Sequence, residues 1–173
     1  NDAFLAEEGD LATTGAAKRR WIIDPIDGTT NFAHGFPFFC ISIALEENGE
    51  LKVGAIYDPT RKEMFTAVKG KGAFLNGKKI SVSKIDRLKS ALLCTGFPYD
   101  LLNPEYENLS LFSHMLFKAQ AVRRAGSASL DLAYVASGRF DGFWEKSLKP
   151  WDYAAGLLLV SEAGGKVTHL CGR

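Results

Sequence analysis

Two aspartates three apart, Asp24 and Asp27, follow the apolar run Trp21-Ile22-Ile23 in the stretch WIIDPIDGTTNF, and Gly28, Thr29 and Thr30 come straight after them. Carboxylates at this D-x-x-D spacing suit Mg²⁺, which takes oxygen ligands in near-octahedral geometry, commonly one or two carboxylates completed by water and substrate phosphate. A sharp turn between Asp24 and Asp27 lets both reach one metal region and aims the carbonyl of Ile26 inward. Gly28, Thr29 and Thr30 then offer backbone N–H groups and hydroxyls at the start of a short helix, a setting that receives anions. The pattern predicts a metal site beside a phosphate site. Further acids stand at other element ends: Glu7-Glu8 closes FLAEE, and Asp152 occupies the first turn of a helix opened by Pro150. An Asx turn with a helix cap accounts for either aspartate and Gly28 alone, and the helix dipole accounts for Asp152 alone. Neither accounts for the set. If the acids converge, each like-charged pair about 4 Å apart costs about 4 kcal/mol at an effective dielectric of ~20, which bound cations would offset.

Other phosphate chemistries fit less well. GAFLNGKK has the G-x-x-x-x-G-K spacing of a P-loop from Gly72 to Lys78, but lacks the Ser or Thr that holds magnesium, and its Asn76-Gly77 pair marks a hairpin. The aspartyl-phosphate phosphatases use D-x-D-G-T; here one extra residue turns the second carboxylate away from the proton donor's place. No G-x-S-x-G supports a serine hydrolase. His34, His114 and His169 have no metal-ligand spacing and are expected in loops or on the surface.

The elements that must position these residues are strands first and helices later. WII, FFCISIALEENG, ELKVGAIYDP and EMFTAVKG are rich in β-branched and aromatic residues and are separated by Gly, Asn, Asp and Pro. Asn48-Gly49 and Asn76-Gly77 predict two tight hairpins. Residues 103–118 read as a helix with an Asn cap and Pro at its first position, and GSASLDLAYVASG as a second. In PWDYAAGLLLVSEAGG, Trp151, Ala154, Ala155, Leu158 and Leu159 share one helical face, with Pro150 to start the helix and Gly164-Gly165 to stop it. The expectation is α+β: a large, mostly antiparallel sheet followed by helices mixed with a few strands, in one domain over residues 1–173.

With 173 residues, 46% hydrophobic, and a net charge of +1, the chain can bury a sizeable core and carries no strong footprint for nucleic acid or membrane. The basic runs Lys18-Arg19-Arg20 and Arg123-Arg124 are expected to be solvated or to rim a site. Cys40, Cys94 and Cys171 lie far apart without C-x-x-C, so Cys40 is expected as a buried small hydrophobe and the setting as reducing and cytoplasmic. The sequence starts at Asn1 without Met, with a strand ending by residue 8, and is expected to be part of a longer chain.

WIIDPIDGTTNF and WDYAAGLLLVSEAGG, in that order, resemble the two signatures of the inositol monophosphatase family, as do FPFFCISIAL and RRAGSASLDLAYVASGRFDGFWE between them. The resemblance covers essentially the whole chain. It implies a layered αβαβα sandwich, with family helices upstream of this sequence, including an aspartate that pairs with the catalytic threonine, and a C-terminal end beyond Arg173. It implies that Glu7, Asp24 and the Ile26 carbonyl hold one Mg²⁺, and that Asp24, Asp27 and Asp152 hold a second. Gly28 and Thr29 would bind phosphate, with Thr29 also touching the attacking water. Gly126, Ser127, Ala128 and Glu145 would contact the inositol hydroxyls. Ala6 stands where the family usually has Gly before the acid pair. The implied activity is hydrolysis of inositol monophosphate by a metal-activated water, sensitive to lithium, in a homodimer. Alternatives are the same chemistry on fructose 1,6-bisphosphate, histidinol phosphate or phosphoadenosine phosphate, or a non-catalytic regulatory protein retaining the metal site. GTTNF and FWE favour the inositol branch.

Overall fold

The structure, a computed structural model, describes residues 2–8, 17–98, 108–170 and 172. Its larger sheet runs in sequence order through β1 (Asp2–Ala6), β2 (Arg19–Asp27), β3 (Cys40–Glu47), β4 (Glu50–Asp58), β5 (Glu63–Val68), β6 (Gly72–Leu75) and β7 (Lys78–Lys79). β1 pairs with β2 in parallel, and every later pair is antiparallel. Both Asn-Gly pairs form the expected hairpin turns. Asn48 and Gly49 have φ of 53° and 79°, and Asn76 and Gly77 have 47° and 77°. Positive φ at both central residues matches the right-handed twist of the strands they join. The P-loop-like stretch is therefore the β6–β7 hairpin.

α1 (Thr29–Ala33) lies between β2 and β3, and after β7 the chain runs through β8 (Leu92–Thr95), α2 (Leu109–Lys118), β9 (Ala121–Arg123), α3 (Ala128–Ala136), β10 (Gly142–Trp144) and α4 (Pro150–Glu162), of which β8, β9 and β10 form a second sheet. The three strands are parallel, in the order β10-β8-β9. α4 packs across β2 to β6, α3 packs on α4 and reaches β8 and β10, and α2 packs against β9. The core lies between the large sheet and the α3–α4 pair, with Ile56, Phe65, Leu130 and Leu159 fully buried. Each such side chain stabilises the fold by about 1.5–3 kcal/mol. The opposite sheet face leaves Ile41, Met64 and Val68 exposed.

Two glycines set how closely these layers approach. A Cβ on Gly54 of β4 would lie 2.9 Å from the Ala155 carbonyl oxygen, and one on Gly156 would lie 2.5 Å from Leu132. α4 thus seats directly on the sheet and α3 directly on α4. Residues 150–162 form the helix expected from the apolar spacing. The helix expected over 103–118 begins at Leu109 within the described residues; 103–107 and Cys171 lie outside them. No helix among the described residues is long and apolar enough to cross a membrane.

Candidate active site

The D-x-x-D spacing acquires a physical meaning on β2. Side chains alternate along a strand, so residues three apart face opposite sides. The β2–β3 register pairs Asp24 with Ser42 and Asp27 with Cys40, three steps on one strand against two on the other. One extra residue makes a bulge, and a bulge re-aims the side chain that follows it. Asp27 thereby returns to the face of Asp24, and both are buried. The strand expected to end near Ile23 in fact carries both acids to its end.

Hydrogen bonds tie one oxygen of each acid. Asp24 Oδ1 accepts from the Ile26 N–H at 2.9 Å. Asp27 Oδ2 accepts from Ser127 Oγ at 2.8 Å and from the Ser129 N–H at 2.6 Å. Asp152 Oδ2 accepts from the Lys149 N–H at 2.7 Å and so caps α4. Binding one oxygen fixes the direction of the other, the way outer hydrogen bonds orient metal ligands. The start of α4 is held in place by Ser129 Oγ, which donates to the Asp152 carbonyl at 2.8 Å, and by Ser42 Oγ, which donates to that of Trp151 at 3.4 Å. Glu7 follows β1, its N–H donating to the Ile23 carbonyl at 3.2 Å, and its carboxyl stands close enough to Asp24 for each to influence the other's charge.

Gly28 turns the chain from β2 into α1 at φ 95°, where a Cβ would meet the Phe38 carbonyl oxygen at 3.0 Å. Thr29 Oγ1 donates to the Ile26 carbonyl at 3.1 Å, joining the turn to the carbonyl between the two acids.

Electrostatics mark the cluster as incomplete. Burial, then Asp27 and Glu7, push Asp24 up to about 8. Burial raises Asp27 to about 6 against the pull of its Ser127 and Ser129 donors. Glu7 is raised by burial and Asp152, and Asp152 by burial against Lys149. Glu145, just past β10, reaches about 8 through burial, Asp27 and Asp152, with Arg124 opposing. Among the described residues no three His, Cys, Asp or Glu side chains are grouped, as they stand, so that they could hold a metal ion. The donor chemistry nevertheless fits a hard divalent cation: carboxylate oxygens, adjacent like charges in a buried setting, and second oxygens left to a ligand.

A sequence model of the inositol monophosphatase family matches residues 1–173. The chain belongs to the inositol monophosphatase family. It is 49% identical to an inositol-1-monophosphatase of Rhizobium meliloti (strain 1021), covering 94% of this chain and 61% of that protein. It is also 49% identical to the Nus factor SuhB of Pseudomonas aeruginosa, over 98% of this chain and 64% of that one. The solved structure of an inositol monophosphatase from Anabaena (Nostoc) sp. PCC 7120 superposes with a TM-score of 0.91 at 48% identity, covering 94% of this chain and 65% of that one. The chain thus spans somewhat under two thirds of the length of these relatives, and its α+β architecture is that of the family's solved members.

Of the residues expected at the site, the fold brings Glu7, Asp24, Ile26, Asp27, Gly28, Thr29 and Asp152 to one end of β1, β2 and α4. Gly126 is exposed at φ 91°. Ser127 is buried with its hydroxyl committed to Asp27, and Ala128 opens α3. Glu145 lies against Gly96, where any Cβ would overlap its carboxylate. Of the basic runs, Arg19 and Arg20 pair with Asp2 and Glu46 away from this end, whereas Arg124 stacks on Phe97, 5.9 Å from the ring centre, beside Glu145. Sequence reading missed Ser129, which holds both Asp27 and the start of α4, and Asn31, which bonds three carbonyls. Ser129 had one available signal, its place beside the GSA stretch. Cys40 is buried as expected, with Sγ 3.9 Å from Asp27 Oδ2.

Proposed function

We propose that the protein is a Mg²⁺-dependent phosphomonoesterase acting on inositol monophosphate. The observation that carries this reading is that Asp27, Glu7 and Asp152 all act on the charge of the buried Asp24, beside a glycine-threonine turn. Glu7, Asp24 and the Ile26 carbonyl would hold one Mg²⁺, and Asp24, Asp27 and Asp152 a second. When bound, the ions supply charge neutralisation for the phosphate and leaving oxygen and lower the pKa of a coordinated water.

The chain's own residues do the rest. The amides of Gly28 and Thr29 receive the phosphate oxygens, whose charge spreads during in-line transfer. Thr29 Oγ1, held between Ile26 and the phosphate, and Glu7 orient the attacking water. Glu145 accepts hydrogen bonds from ring hydroxyls, with Gly126, Ser127 and Ala128 lining the same side. A cytoplasmic homodimer sensitive to lithium completes the reading. The family name supports the chemistry, and GTTNF and FWE support inositol over other sugar or nucleotide phosphates.

The test is phosphate release from inositol 1-phosphate by the intact protein with Mg²⁺ and with EDTA. Release that requires Mg²⁺ is expected, and a folded protein that releases none contradicts the reading. A second reading, a regulatory protein that keeps the metal site, is favoured by the relatives of equal identity that carry the name Nus factor. Binding of Mg²⁺ without hydrolysis of any ester would select it.

A further inference from the structure

Asn31 stands in α1 one turn beyond the phosphate-type turn, and its side chain leaves the helix to meet two other segments. Nδ2 donates to the Phe38 carbonyl at 2.7 Å and to the Ala125 carbonyl at 2.9 Å, with the Gly126 carbonyl at 3.4 Å. The amide has only one orientation here, because exchanging its oxygen and nitrogen would set an acceptor against three carbonyls. The fit is close on every side. A Cβ on Gly126 would lie 3.0 Å from Asn31 Nδ2, and one on Gly28 would lie 3.0 Å from the Phe38 oxygen and 3.2 Å from the Gly126 oxygen.

Phe38 is itself a fixed post. Its ring packs edge-on against Tyr134 at 5.6 Å and under the Arg61 guanidinium at 5.8 Å. Arg61 Nη1 donates to the neighbouring Pro37 carbonyl at 2.9 Å and to the buried Asp58 at 3.0 Å. The Asn31 backbone carbonyl accepts from the Phe36 N–H at 2.8 Å, closing the same loop.

We infer that Asn31 is a positioning residue that clamps the phosphate-binding turn to the 125–128 segment, setting the distance between the phosphate and the hydroxyls of a polyol substrate. This rests on the proposed function for what the two segments bind. A rigid spacing between two subsites converts hydroxyl recognition into alignment of the ester, and small misplacements of that kind cost rate steeply. A substrate without ring hydroxyls uses only the phosphate side and is insensitive to the spacing.

The experiment compares Asn31→Asp and Asn31→Ser with the unaltered intact protein, using inositol 1-phosphate and phenyl phosphate as substrates in Mg²⁺. The expected result is a fall of about tenfold or more in kcat/KM for inositol 1-phosphate, carried mainly by kcat, while kcat/KM for phenyl phosphate changes by less than about threefold. Hydrogen exchange supplies a readout independent of turnover and of substrate. The Ser129 amide should exchange faster in Asn31→Ser, whereas amides of the β3–β4 hairpin should not change. Equal losses on both esters, or unaltered exchange at Ser129, overturn the clamp. An unaltered protein that hydrolyses neither ester overturns the functional reading and the clamp's role in it together, which an active protein with insensitive variants does not.

Discussion

Asp24 and Asp58 are both buried aspartates near the ends of strands in the same sheet, at 1% and 0% exposure, yet their surroundings are opposite. Asp58 is satisfied by its own chain. Its Oδ1 accepts from the Thr60 N–H at 2.8 Å, Thr60 Oγ1 at 2.7 Å and the Arg61 N–H at 3.1 Å, and its Oδ2 accepts from Arg61 Nη1 at 3.0 Å. Burial alone would raise it, but these donors hold it below the usual carboxylate range. Asp24 has one backbone donor and three acidic neighbours, and stands at about 8. A fold that satisfies a buried carboxylate at the end of β4, just before a turn, leaves another one unsatisfied two strands away on β2. Under the proposed function, the contrast separates a carboxylate used to shape a loop from one kept for a cation.

The largest effect belongs to the unsatisfied end. Asp27→Asn keeps the shape and removes the charge, and kcat on inositol 1-phosphate should fall by at least ~10³-fold, since it withdraws charge aimed at the transition state. Near-normal kcat in that variant would break the two-metal assignment. A second test sets the two aspartates against each other by the same substitution. In metal-free protein at pH 8, Asp58→Asn should destabilise by about 1–3 kcal/mol, because it weakens hydrogen bonds to a buried acceptor. Asp24→Asn should instead stabilise, because it removes like-charge repulsion. For a chain of this length each kcal/mol moves the melting temperature by about 2–4 °C, so opposite shifts are readable by calorimetry.

The pH dependence follows from the same signs. Asp24 binds its proton more tightly folded than unfolded, so the metal-free fold loses stability as pH rises from 3.8 toward about 8. Asp58 binds its proton less tightly folded, so its contribution is present above 3.8 and lost as pH falls below it. Melting curves in EDTA should therefore show these two contributions falling away on both sides of a maximum near 3.8, and Mg²⁺ should flatten the side above it alone. The smallest effect is expected at Glu145→Ala, with kcat on phenyl phosphate within about threefold and the preference for inositol 1-phosphate reduced, read as a ratio of kcat/KM values.

Much of this site was legible because its parts are local. Asn-Gly turns, the apolar face from Trp151 to Leu159, and the run of acid, glycine and threonine after β2 all express themselves within a dozen residues. The bulge that puts Asp24 and Asp27 on one face was not legible, since it exists only as a register against Cys40 and Ser42. Ser129 and Asn31 escaped for the same reason. Their partners lie 102 and 94 residues away, and a serine or asparagine near the start of a helix reads as local capping until those partners are known. Ser127 shows the reverse case. The motif marks it as a substrate contact, and the fold turns its hydroxyl onto Asp27.

The central claim is that the acids at the end of β2 are complete only with a divalent cation. Calorimetric titration of the metal-free protein with Mg²⁺, alongside Asp24→Asn and Asp58→Asn, tests it directly. Saturable binding in the unaltered protein and in Asp58→Asn, abolished in Asp24→Asn, is the predicted result. Equal binding in all three, or none in the unaltered protein, would contradict it.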